Sequence, residues 1–272
     1  MSQSLSRVLV AVVAIPIFIA LVWVGGFSFY LLVQAIMLLG AGEAFDLLGA
    51  KSSSPQRWTG YAFSLAWGLT VFFFGWTFAV PVLLTFLIVL MIAEMFRSAG
   101  SQILNISGTA FAALYASLSL GCMITLRNQP DPGGAQLVFL VFAAIWACDS
   151  LAYYGGRLFG KHKLFERVSP KKTWEGAVAG LLGAFLGVFV VRYLYIQFGY
   201  TFILSSAQTS MIGLFAGTLG QAGDLAESLL KRDAGIKDSS HLIPGHGGVL
   251  DRFDSLMFVA PATALYLQFT LH

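Results

Sequence analysis

Charge is scarce in this chain. Asp, Glu, Lys and Arg make up 11% of its 272 residues, against about a quarter in a typical soluble domain. With 57% hydrophobic residues and a mean hydropathy of +0.79, that scarcity excludes an ordinary water-soluble domain. Cysteine is scarcer still. Cys122 and Cys148 both lie inside apolar runs, which excludes a disulfide framework or a sulfur-rich metal centre. They read as small core residues. His241 and His246 have no third nitrogen or sulfur ligand nearby, which argues against a zinc site as well. The phosphate-loop pattern GxxxxGK[ST] is missing. So are any soluble domain, low-complexity tract or convincing internal repeat.

What remains is a series of apolar runs of about 17–20 residues, the length that crosses a bilayer core of about 30 Å. They predict an all-α polytopic membrane protein rather than an outer-membrane barrel, whose strands would alternate over about ten residues. Nine spans are expected, near 7–24, 27–48, 59–76, 78–95, 103–123, 136–155, 174–194, 209–229 and 250–270. The opening MSQSLSRVLVAVVAIPIFIALVWVGG reads as a retained first span, being long for a signal peptide and followed by no A-x-A-like site. Residues 196–208 either lengthen the eighth span or lie at the interface. Two connections are long, 156–173 and 230–249. On this count fourteen of the sixteen basic residues fall on one side, and only Arg127 and Arg192 on the other. The positive-inside bias puts the N-terminus and both long loops in the cytoplasm, across an inner membrane. Residues 1–130 are expected to form an N-terminal support region of about five helices. Residues 131–272 form a catalytic region of about four.

Acidic residues at membrane depth cost several kcal/mol unless paired, solvated or metal-bound, and so mark function. Asp149 falls late in the sixth span, Asp224 and Glu227 late in the eighth, and Asp251 and Asp254 at the start of the ninth. All lie toward the cytoplasmic ends of their helices. Asp224, Glu227, Ser228 and Lys231 share a helix face at i, i+3, i+4 and i+7. Asp251 and Asp254, at i and i+3, are expected to share another. Asp149 and Tyr153 are i, i+4. Carboxylates from two helices with few sulfur or nitrogen ligands make a hard oxygen site, which favours Mg²⁺. The plainer alternative is that these acids neutralise Lys231, Arg232 and Arg252. For Glu43, Asp46 and Glu94 a structural role is the better reading.

The two long loops hold most of the cations: Lys161, Lys163, Arg167, Lys171 and Lys172 in one, Lys231, Arg232, Lys237 and Arg252 around the other. Such loops commonly anchor topology and touch anionic lipid. Here the cations alternate with acids and small residues. Ser169-Pro170 reads as an N-cap with proline in the first helical position, turning helix amides toward an anion. PGHGG at 244–248 allows close backbone approach to a ligand. His246 reads as a hydrogen-bond donor to phosphate or to a neighbouring acid. A divalent ion and many protein cations at the membrane surface suit a polyphosphate and a lipid head group, and hence phosphoryl or nucleotidyl transfer.

The stretch SLLKRDAGIKDSSHLIPGHGGVLDRFD, residues 228–254, resembles the signature of the phosphatidate cytidylyltransferases, or CDP-diacylglycerol synthases. The shared pattern is S-x-x-K-R, four residues, K-D, then P-x-H-G-G-x-x-D-R-x-D. CDSLAYYGGRLFGKHKL and SPKKTWEG resemble a second region of that family. The similarity runs from about 140 to the end; the first 130 residues match only in hydropathy and length. Ser240 stands where many members have glycine. The resemblance implies CTP and phosphatidate as substrates, Mg²⁺ dependence with room for a K⁺ ion, and a homodimer. It implies that Asp224, Asp251 and Asp254 hold metal and, with Lys231 and Arg232, carry catalysis. It implies that Ser169, Lys171, Lys172, Ser228, Lys237, Asp238, His246, Gly247, Gly248 and Arg252 bind substrate. Asp149 would serve the cytidine sugar or a cation-binding partner. Two other classes compete. A polyprenyl-phosphate sugar-phosphate transferase would consume a UDP-sugar instead of CTP. A cation-coupled transporter would continue its polar residues across the outer half, which this sequence does not do.

Overall fold

The computed structural model describes residues 3–49, 53–130, 133–240, 242 and 247–271, with side chains from residue 12 onward. Helices α1 (Gln3–Val24), α2 (Gly26–Gly49), α3 (Arg57–Phe74), α4 (Ala79–Met95), α5 (Gln102–Arg127), α6 (Gly133–Phe159) and α7 (Trp174–Gln197) follow the first seven apolar runs. Helix α8 (Ser206–Phe215) continues through a π-helical turn, Ala216–Gly220, into α9 (Gln221–Asp233). Helices α10 (Leu250–Phe253) and α11 (Leu256–Thr270) close the chain. The segment before α8 is non-helical, because Ser205 and Gln208 form a reciprocal capping box that starts the helix there.

α2, α5, α6 and α7 are each long and apolar enough to cross a bilayer, while α4 and α11 are shorter apolar helices. On α4, Val80, Leu84, Ile88 and Ile92 recur every fourth residue and are each at least half exposed. So continuous an apolar stripe suits a surface turned to lipid rather than to water. The chain is an all-α integral membrane protein.

Two compact units make up the fold: residues 1–128 with 230–252, and residues 129–229 with 253–272. In the first, α2, α3 and α5 pack together and bury small residues, among them Gly40, Ala41 and Ala44 on α2 and Gly108, Ala112 and Ala116 on α5. In lipid no hydrophobic force drives helices together, so close approach through small side chains carries the packing. Trp67 sits over Gly121, where an added Cβ would come within 2.6 Å of its Nε1. Buried Glu94 accepts from Asn105 Nδ2 (2.7 Å) and Arg97 Nη1 (2.9 Å). Asp46 pairs with Arg57 at 2.5 Å. Both acids have the structural role expected of them.

In the second unit α6 and α7 run antiparallel along a seam of small residues. Gly180, Gly183 and Gly187 of α7 oppose Cys148, Ala147 and Ala143 of α6. A Cβ at Gly183 would stand 2.5 Å from the Ala147 carbonyl oxygen. Gly183→Val is therefore expected to destabilise this pair by about 3 kcal/mol or more, at the upper end of overpacking costs. Thermal unfolding in detergent measures it, and a melting temperature equal to wild type would show that the seam can open. Cys122 and Cys148 are buried free thiols.

Two local expectations are corrected. The 156–173 connection folds partly as a hairpin, β1 (Lys163–Phe165) antiparallel to β2 (Ser169–Thr173). Ser169 thus pairs in a strand instead of capping a helix. Thr173 takes the cap, its hydroxyl accepting from the Gly176 amide at 3.2 Å. Glu175 braces the turn by accepting from the amides of Lys161 and His162. Second, 250–270 is not one continuous helix. Asp254 Oδ1 accepts from the Ser255 amide at 2.6 Å, a local bond that competes with helix continuation. Asp251 therefore lies in α10, whereas Asp254 lies in the turn that follows it.

Candidate functional site

In the second unit the hairpin presents Lys172 to the first turn of α9. Lys172 Nζ lies 2.7 Å from Asp224 Oδ2, with both side chains partly exposed. Ser228, one turn along, meets Asp224 Oδ1 at 3.4 Å. The charges of Asp224, Glu227 and Asp149 all act on Asp254. Three carboxyls are thus within electrostatic reach of Asp254. The π-helical turn before α9 sets the phase of Asp224 and Glu227, the two of these acids on α9. Gly223 lets α9 approach the Asp254 backbone, as a Cβ there would meet the Asp254 carbonyl oxygen at 2.6 Å. Ser169 is half-buried in β2, while Lys171 and Asp149 are exposed.

In the first unit α9 ends on Gly235, whose φ of +75° is the left-handed conformation of a helix stop. The Ile236 amide reaches back to the Lys231 carbonyl at 2.9 Å, closing the end. Lys231 turns inward, and its Nζ meets Asp251 Oδ1 at 2.5 Å. Both side chains are at most 10% exposed. Asp251 Oδ2 accepts from the Ser239 amide (2.8 Å), the Ser239 hydroxyl (2.9 Å) and the Gly248 amide (2.8 Å). Arg232 donates to the Ile236 carbonyl, and Arg232, Lys237, Asp238 and Arg252 are exposed. Gly247 has φ +81°, and a Cβ on it would meet Asp251 Oδ2 at 2.8 Å. His241 and His246 lie outside the described residues.

The donors suit a hard cation in part. Asp224 and Asp254 offer carboxylate oxygens, the ligands Mg²⁺ takes. The long Ser228 contact leaves Asp224 Oδ1 available. Asp251 differs, since both of its oxygens are engaged. Among the described residues, no three His, Cys, Asp or Glu side chains are arranged to hold a metal ion. The alternative reading of the acids as partners of basic residues is met by the Lys231–Asp251 pair. The basic partner of Asp224, Lys172, was not expected from the sequence. Nor was the position of Glu43, which accepts hydrogen bonds from Ser239, Ser240, Val249 and Leu250. Its only sequence signal is an acid, one of two with Asp46, on an otherwise apolar helix.

The sequence profile of the cytidylyltransferase family matches residues 5–270. The chain is 36% identical over 268 residues to a phosphatidate cytidylyltransferase of Brucella abortus, covering 98% of this chain and 93% of that one. It is 34% identical over 271 residues to a phosphatidate cytidylyltransferase of Bacillus subtilis, covering 94% of each. A Synechocystis protein of the same name is 32% identical over 298 residues, with 97% of each covered.

Proposed function

The chain belongs to the cytidylyltransferase family, and on that footing we propose how it works as a phosphatidate cytidylyltransferase, moving CMP from CTP to phosphatidate to give CDP-diacylglycerol and pyrophosphate. The observation that carries this reading is the similarity to phosphatidate cytidylyltransferases over nearly the whole chain. A phosphate oxygen of phosphatidate attacks the α-phosphorus of CTP. A new P–O bond forms as the bond to pyrophosphate breaks, in line. The nucleophile is already an anion, so no strong general base is needed; the barrier is set by charge and placement.

Lys172, Lys231, Arg232, Lys237 and Arg252 neutralise the phosphates of the two substrates. Ser169, Lys171, Ser228, Asp238, His246, Gly247 and Gly248 complete the substrate contacts, and Asp149 serves the sugar or a cation-binding partner. Asp224 and Asp254 hold Mg²⁺, with room for K⁺. Bound there, the ion supplies charge neutralisation for the triphosphate and the leaving group. Asp251 acts by holding Lys231 and the loop around Ser239 and Gly248. The protein spans the inner membrane about nine times with its N-terminus and active site cytoplasmic, as the fourteen-to-two split of basic residues supports. It works as a homodimer, residues 1–130 supplying contacts.

Purified protein in detergent, given labelled CTP and phosphatidate, is expected to release pyrophosphate and form CDP-diacylglycerol only when Mg²⁺ is added. No product, or consumption of a UDP-sugar in place of CTP, would overturn the assignment.

A further inference from the structure

We propose that Glu43, on α2, is a positioning residue that clamps the signature loop from the N-terminal part of the chain. The proposal rests on the cytidylyltransferase reading for its effect on turnover; the geometry stands apart from it. Glu43 is 5% exposed. Its Oε1 accepts from the Ser240 hydroxyl (2.6 Å) and the Val249 amide (2.8 Å). Its Oε2 accepts from the Ser239 hydroxyl (2.7 Å) and the Leu250 amide (2.8 Å). One carboxylate thus ties positions 239–240 to positions 249–250.

Asp251 repeats the device one step along. Its Oδ2 binds Ser239 and the Gly248 amide, and its Oδ1 binds Lys231. The linkage runs Glu43, Ser239, Asp251, Lys231, so Glu43 acts on the phosphate-binding lysine only through others. Gly248 belongs to the same arrangement. A Cβ there would stand 2.5 Å from Glu43 Oε2 and would also strike the Ser239 hydroxyl. That glycine is therefore required by the clamp, whatever a ligand also requires.

A role confined to packing α2 does not account for these contacts. An ionised acid in a buried position is expensive, and an apolar side chain of similar volume would pack a helix as well or better. Four converging donors are what a carboxylate, and nothing else of its size, can accept. The arrangement also discriminates against the isosteric amide. Each Glu43 oxygen faces one backbone N–H, so glutamine in either orientation points its own NH₂ at the Val249 or the Leu250 amide. A packing role tolerates that exchange; a clamp does not.

The test uses the full-length protein in detergent. Glu43→Gln is expected to lower kcat by about 30-fold or more while KM for CTP changes less than about threefold, as for an interaction that matters in the transition state. Ser240→Ala, which removes one donor of four and keeps both amides, is expected to lower kcat by about 3- to 10-fold. A spin label at Leu242, which is exposed, in a background with Cys122 and Cys148 replaced by Ala, is expected to gain mobility in both variants. Wild-type kcat and unchanged label mobility in Glu43→Gln would overturn the clamp. If that variant does not fold, the same result in Ser240→Ala overturns it. Absence of CDP-diacylglycerol from wild type would instead remove the reaction assignment, and the label would still report on the clamp.

Discussion

Asp251→Asn is expected to loosen the signature loop and to abolish turnover together. The substitution takes the counter-charge from Lys231 Nζ at 2.5 Å, where both side chains are at most 10% exposed. Removing one partner of a buried pair leaves the other charge desolvated, a loss of about 3–5 kcal/mol. The amide also turns an NH₂ toward Lys231 or toward the Ser239 and Gly248 amides, which now bond to Asp251 Oδ2. Activity should fall by about 10³-fold, the scale of losing a preorganised charge contact in the transition state. The double variant Lys231→Met with Asp251→Leu separates the two effects. Replacing both charges by apolar groups is expected to recover most of the unfolding free energy, yet leave turnover as low as in Asp251→Asn. Melting in detergent and CDP-diacylglycerol formation measure the two quantities. If the double variant regains turnover with its stability, the pair is a structural tie and Lys231 does not serve the phosphates.

Much of this fold is legible in the sequence, because lipid imposes a strong pattern. The runs at 27–48, 103–123, 136–155 and 174–194 are each the core of a helix that can cross the bilayer, and no polar face competes with that reading. Elements fail where two local rules compete. Ser169-Pro170 and Thr173 both suit a helix start, and the strand pairing of 163–165 with 169–173 decides for Thr173. The run at 250–270 looks continuous, but the Asp254 side chain bonds the next amide and breaks it. Partnerships at a distance are the least legible. Glu43 and Ser239 are 196 positions apart, and no spacing rule links them. Lys172 and Asp224 were each recognisable as candidates, but not as a pair. Charge type and helix face can be read from one segment, whereas a partner is set by how segments fold together.

Asp224→Asn and Lys172→Met are expected to spare stability and to move Mg²⁺ dependence in opposite directions. The Lys172–Asp224 pair is 26% and 35% exposed, and ion pairs at such sites contribute at most about 1 kcal/mol. Both variants should therefore melt close to wild type, unlike Asp251→Asn. Asp224, however, acts together with Glu227 and Asp149 on Asp254. Removing its charge takes away a ligand from the proposed cation. Turnover is expected to fall by about 10³-fold, and the Mg²⁺ concentration for half-maximal activity to rise. Lys172 competes for the same carboxylate, holding Asp224 Oδ2 at 2.7 Å. Methionine in its place frees that oxygen, so the half-maximal Mg²⁺ concentration should fall while KM for CTP rises through the loss of a phosphate-binding cation. Mg²⁺ titrations of CDP-diacylglycerol formation at saturating CTP read these shifts directly. Parallel shifts in the two variants would mean that Lys172 and Asp224 act as one structural unit. Opposite shifts are what an acid that binds the ion, held meanwhile by a lysine that binds the substrate, must produce.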